Sequence, residues 1–182
     1  MSQTEEWIKN TGKIVLQELG IKKGQKILDF GCGSGVYSII AASITGREGK
    51  IFALDYDEDL LDKLSYEIIT QNLGNIEIIK GSNKITIPLK SEFLDVILLY
   101  DVYHLIEKKD RINLLKEFYR ILKSEDSFLS YHATHVGSYG IDLKEVHQQM
   151  KSSGFVLYKE FKKPMFHWHW IEEGKIFNYV KS

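Results

Sequence analysis

The stretch that most limits what this chain can fold into is Lys26-Ile27-Leu28-Asp29-Phe30-Gly31-Cys32-Gly33-Ser34-Gly35. A short apolar run without helical spacing leads straight into glycines at every second position, which predicts a buried strand ending in a tight turn. Val36 to Ile44 then carry apolar side chains at helical spacing, so the turn feeds a helix. Glycine suits such a loop because the backbone must turn sharply and a ligand can approach without a Cβ in the way. A dinucleotide fingerprint, G-x-G-x-x-G, would put its third glycine at Val36 or Ser38, and neither fits. The pattern is instead D-x-G-x-G-x-G, with Asp29 two residues before Gly31. A carboxylate there opposes a pyrophosphate and suits a ligand carrying an ammonium group, directly or through water. The plainer alternative is a glycine-rich turn with no ligand.

Strands and helices alternate through the rest of the chain. Ile51 to Leu54 is a second buried strand ending at Asp55. A carboxylate at that tip, roughly 20 residues or slightly more beyond the loop, is placed to accept hydrogen bonds from a ribose diol. Asp55 is alternatively a helix cap, a role that Asp57 and Asp59 fill equally well. Leu60, Leu61, Leu64, Ile68 and Ile69 make the apolar face of the next helix, and Ile76 to Lys80 is a third strand running into Gly81-Ser82-Asn83. Phe93 to Tyr100, the longest apolar run, suits a central parallel strand, and Tyr100 to Leu105 emerges at its carboxyl end. A helix over Arg111 to Leu122, a fifth strand over Ser127 to His132, a helix over Ile141 to Ser152, a sixth strand over Phe155 to Phe161 and a last one over Ile176 to Val180 follow. Between the last two, Met165 to Ile171 alternates aromatic residues with histidine, so one set faces inward, and the sequence leaves open which. Thr4 to Leu19 predicts one or two helices, with Gly12 a weak point and Gly20 the stop. This order predicts an α/β fold, a doubly wound seven-stranded sheet, mostly parallel with an antiparallel last strand. At 182 residues it is expected to be one domain over 1–182, with an N-terminal helical segment over 1–20.

The glycine stretch resembles motif I of the class I S-adenosylmethionine (SAM) dependent methyltransferases, and Asp55 and the closing pair of strands agree with that resemblance. It implies a Rossmann-like fold in which Asp29, Gly31, Cys32, Gly33 and Gly35 cradle the amino acid end of SAM and Asp55, with Tyr56 beside it, holds the ribose. The family usually has Gly-Asp where Gly81-Ser82-Asn83 stands, with the acid on the adenine amino group. Here Ser82 and Asn83 are the candidates, the Asn83 carbonyl accepting from that amino group. The segment from Tyr100 would border the methionine portion and the transferred methyl. The implied function is methyl transfer from SAM to a small-molecule acceptor, leaving S-adenosylhomocysteine. The alternative is a SAM-binding regulatory or partner protein without transferase activity. Tyr100-Asp101-Val102-Tyr103 stands where an N-P-P-Y type segment would be, which disfavours nucleobase or protein amide nitrogen as acceptor.

If the acceptor must lose a proton, Asp101, His104, His132 and His135 are the candidate bases, histidine titrating near working pH when unperturbed. Tyr100, Tyr103 and these histidines are expected to line the acceptor site. The histidines have no compact ligand spacing, so no metal is expected. Cys32 reads as a small loop filler with no partner thiol. With 24 Lys+Arg against 25 Asp+Glu, no dense basic cluster marks a nucleic-acid partner. The polar, acidic start and the lack of a membrane-length apolar run predict a cytoplasmic monomer or homodimer.

Overall fold

The computed structural model describes residues 2–82 and 85–182. Seven strands, β1 (Lys26–Phe30), β2 (Lys50–Asp55), β3 (Ile76–Lys80), β4 (Val96–Tyr100), β5 (Phe128–His132), β6 (Phe155–His167) and β7 (Trp170–Lys181), form one sheet in the order β3-β2-β1-β4-β5-β7-β6. The first five run parallel, while β7 is antiparallel to both β5 and β6. This is the expected doubly wound sheet with an antiparallel last strand. β4 is buried at every position, as a central strand with both faces covered must be.

Alternation along the strands divides the core into two layers. Leu28, Phe30 and Leu99 pack with α5 (Lys108–Ile121) and α6 (Leu143–Ser152) through Leu115, Phe118 and Met150. Ile27, Leu98 and Tyr100 pack on the other face with α2 (Gly12–Glu18), α3 (Val36–Thr45) and α4 (Glu58–Thr70). Chain order reverses at β1, which lies between β2 and β4, and that reversal opens a crevice beyond the carboxyl ends of the strands. Asp29 pairs in register with Ala53 and Leu98, and Tyr100 with His132. The residues following β1, β2, β4 and β5 therefore emerge along one edge.

Two regions differ from expectation. The N-terminal stretch is α1 (Gln3–Glu6), a π-helical turn over Trp7–Thr11, and α2. Gly12 is a contact point there, because a Cβ on it would stand 2.8 Å from the Trp7 ring and 2.9 Å from Ile40. Trp7 donates from Nε1 to the Pro164 carbonyl at 2.8 Å and stacks on Phe166, so this stretch packs against β6. The second region is the end of the chain, where β6 and β7 form one long hairpin paired from Phe155↔Lys181 to His167↔Trp170. A register shift between Leu157 and Lys159 leaves Tyr158 as an extra residue, a bulge. Met165 to Ile171 is thus the hairpin tip, with Met165 and His167 inward and Trp168 and Trp170 exposed. No helix among the described residues is long and apolar enough to cross a membrane.

Candidate active site

Two groups of side chains meet at the carboxyl edge of the sheet. The first surrounds the glycine loop. Gly31 and Cys32 both donate to the Leu54 carbonyl, at 2.8 and 3.0 Å, which fastens the loop to the end of β2. Gly31, Gly33 and Gly35 all have positive φ, a conformation that side chains resist. Their surroundings differ. A Cβ on Gly31 would lie 2.6 Å from Val102, and one on Gly35 2.3 Å from Leu64, whereas one on Gly33 would meet nothing nearer than Leu60 at 4.0 Å. Gly31 and Gly35 permit packing; Gly33 presents bare backbone to open space.

Asp55 ties this loop to β2. Its Oδ2 accepts from Gly33 N at 2.7 Å, and its Oδ1 accepts from Tyr56 N at 2.7 Å and Asp57 N at 3.0 Å. The helix cap is Asp57, which accepts from Leu60 N at 3.1 Å. That leaves Asp55 at the loop with Oδ1 taken up by two backbone donors and a lone pair remaining on Oδ2. Asp29 is 3% exposed and its Oδ2 accepts from Ser38 Oγ at 2.6 Å. Burial, with the Asp55 charge adding, pushes its pKa up from 3.8 to about 6. Burial likewise raises the Cys32 thiol, which stays protonated and unreactive. Beside the loop a cavity is lined by Leu54, Tyr56, Ile79, Ser82, Ile85 and Pro88, an apolar slot flanked by polar groups. Asn83 lies outside the described residues.

The second group follows β4 and β5. Asp101 leaves β4 with φ of +54°, a left-handed conformation that directs its carboxylate toward His135 and His167. His104 sits in the short 3-10 turn Tyr103–Leu105, and its ring centroid lies 4.2 Å from that of His135 with the planes tilted by 53°. Arg111 is buried and holds the two loops together, donating from Nε to the Ile106 carbonyl at 3.0 Å and from Nη1 to the Gly140 carbonyl at 3.2 Å. Val102, between Asp101 and Tyr103, is the residue against Gly31, so the two groups are adjacent.

Several expectations change here. Burial pushes the pKa of His104 down to about 4 and that of His132 down to about 3, so both rings are neutral near pH 7 and do not titrate there. His132 has no exposed surface. Burial also raises Asp101, while His167 opposes the rise. Tyr100 and Tyr103 are interior residues and do not line an open site. The Tyr100 hydroxyl lies 2.7 Å from Ser130 Oγ, and the Tyr103 hydroxyl donates to Gln149 Oε1 at 2.6 Å. The exposed aromatic rings on this side are Tyr139, Trp168 and Trp170. Two further members, His167 and Glu172, come from the hairpin tip.

Residues 27–125 match the family model described as a methyltransferase domain, and this span contains the glycine loop, Asp55 and the end of β4. The chain belongs to that family, the class I SAM-dependent methyltransferases. The methyltransferase fold is also that of a SAM-dependent methyltransferase from Aquifex aeolicus, with a TM-score of 0.77 over 96% of this chain and 91% of that one, at 20% identity. Among curated proteins, the demethylmenaquinone methyltransferase of Listeria monocytogenes serotype 4a is 33% identical over 65% of this chain and 47% of its own length. That of Geobacillus stearothermophilus is 30% identical over 61% of this chain and 46% of its own. The chain spans about half the length of the curated relatives it matches.

Proposed function

We propose that this chain transfers a methyl group from SAM to a small-molecule acceptor. The observation that carries this reading is the Asp55 carboxylate bonded to Gly33 N, with Asp57 taking the capping role that would otherwise explain Asp55. When bound, SAM supplies a methyl group on a sulfonium, already activated for in-line displacement, and leaves as S-adenosylhomocysteine. The residues here provide position and shelter from water. Bare backbone at Gly33 and the open approach beside it receive the amino acid end, with Asp29 balancing its ammonium. Asp55 accepts from a ribose hydroxyl through the remaining lone pair on Oδ2, and Tyr56 and Ser82 border the adenine slot. Asp101, His104, His132 and His135 stand on the acceptor side, across Val102 from the loop. His132 is enclosed and does not face the acceptor. The names of the curated relatives favour demethylmenaquinone among possible acceptors, and the exposed rings of Tyr139 and Trp170 suit a flat apolar ring.

Calorimetry with SAM, S-adenosylhomocysteine and NAD, followed by acceptor trials read as S-adenosylhomocysteine release, tests this reading. Demethylmenaquinone belongs in the first acceptor set. SAM and its product are expected to bind and NAD not to. Asp55→Ala removes charge-assisted bonds worth about 1.5–3 kcal/mol each, so affinity should fall at least about tenfold. Parent-like SAM binding by that variant would sink the assignment.

A further inference from the structure

Buried polar atoms rarely lack a hydrogen-bond partner, and an unpartnered one calls for a reason such as an ion. Among the described residues, Asp101 Oδ1, His104 Nδ1, His135 Nε2 and His167 Nδ1 are buried atoms without a partner in the protein, as are both ring nitrogens of His132. They lie together. His167 Nδ1 is 3.3 Å from Asp101 Oδ2, and His135 Nε2 is 3.6 Å from Asp101 Oδ1. His167 Nδ1 is also 3.5 Å from Glu172 Oε1. One donor atom from each of Asp101, His135 and His167 falls within 4.8 Å of the others.

We propose that Asp101, His135 and His167 bind a divalent first-row transition-metal ion, with Glu172 as the neighbouring carboxylate able to join them. Donors that share an ion at about 2.0–2.2 Å stand roughly 3–4 Å apart. The two Asp101–histidine contacts, one on each carboxylate oxygen, fall in that range and are too long for good hydrogen bonds, while the set with one donor atom per residue lies within 4.8 Å and would draw in slightly around an ion. Two imidazoles and a carboxylate suit zinc, iron(II) or cobalt(II), whereas magnesium and calcium prefer oxygen alone. A cation at this point also lies near two carboxylates, Asp101 and Glu172, that otherwise crowd one ring nitrogen. The ligands come from three separate turns, after β4, after β5 and at the hairpin tip, so no ligand spacing is visible in the sequence. Two of them, Asp101 and His135, hold left-handed backbone conformations that cost energy and that cluster at functional sites. Their side chains are partly exposed although the donor atoms themselves are buried. This site lies outside the SAM cradle, and its proposal does not depend on methyl transfer.

The test uses tag-free, chelator-treated protein titrated with zinc chloride by calorimetry, with magnesium chloride as the comparison and SAM titration on the same samples. The expected result is one zinc per chain, no competition from millimolar magnesium, and at least about a hundredfold weaker zinc binding in Asp101→Ala, His135→Ala and His167→Ala. His147→Ala, outside the cluster, should bind as the parent does. Because a buried variant can fail to fold, the unaltered protein is also loaded with cobalt(II). Strong visible absorption that zinc abolishes supports the site. A spectrum like the aqueous ion, absence of a one-to-one zinc complex, or zinc binding unchanged in folded His135→Ala overturns it.

Discussion

Each glycine of the loop carries a different load. At Gly31 an added Cβ meets Val102 at 2.6 Å, so Gly31→Ala combines overpacking with backbone strain and should lower stability by about 1–3 kcal/mol. Gly33→Ala adds only the left-handed penalty, about 1–2 kcal/mol, yet it fills the space on the ligand side and should weaken SAM binding more. Thermal unfolding and SAM titration of both variants check the pair; parent-like SAM affinity in Gly33→Ala would show that the loop is only a turn. Asp29 makes a further case. Its folded pKa of about 6 exceeds the ordinary 3.8, so keeping it ionised costs stability above about pH 6 and nothing below about pH 4. Asp29→Asn should therefore stabilise the ligand-free protein at pH 8 by about 3 kcal/mol while weakening its hold on SAM, and the gain should vanish at pH 4. A stability difference independent of pH would refute the buried charge. The placement of these residues was partly legible in the sequence: Asp29, Asp55 and the glycines are set by local spacing. The cap was not, because carboxylates at 55, 57 and 59 have equal capping chemistry and only the Asp57 bond to Leu60 separates them.

At the scale of elements, Gly12 joins the N-terminal stretch to α3. Helix propensity alone predicts that Gly12→Ala stabilises by about 1 kcal/mol. Contacts of 2.8 and 2.9 Å from the new Cβ to Trp7 and Ile40 predict a loss of about 1–3 kcal/mol instead, and the loss should win because both partners are packed. A melting temperature that rises would mean the stretch lies loosely on the sheet. Propensity made this glycine look like a flaw since the partner against it, Ile40, is distant in sequence. The same limit hid the hairpin tip. Alternation over Met165 to Ile171 reveals a period of two but not its phase, and the phase is set by pairing with β7. His167 and Glu172 were missed for that reason, although the histidine-aromatic alternation was itself the signal that one set of side chains turned inward.

Across the whole molecule, the two apolar layers share one sheet, and neighbouring residues of the same strand belong to opposite layers: Ile27 to one, Leu28 to the other. Neither layer can melt while the other keeps its strands. The chain is therefore expected to unfold in a single transition, with calorimetric and van't Hoff enthalpies equal. Two resolved transitions would divide it into more than one unit. The doubly wound, mostly parallel character of the sheet was readable in the sequence because alternating strands and helices force parallel crossovers. The meeting of β4, β5 and the hairpin at one point was not, since it depends on how far each turn travels. The bulge at Tyr158 is where that distance is counted. Before it, Phe155 packs with Tyr119 of α5; beyond it, Met165 packs in the opposite layer, although both are odd-numbered residues of one strand. A single surplus residue thus acts as a half-step in the strand's alternation, exchanging its odd and even faces. By that parity His167, rather than Phe166, is the side chain that β6 delivers to Asp101.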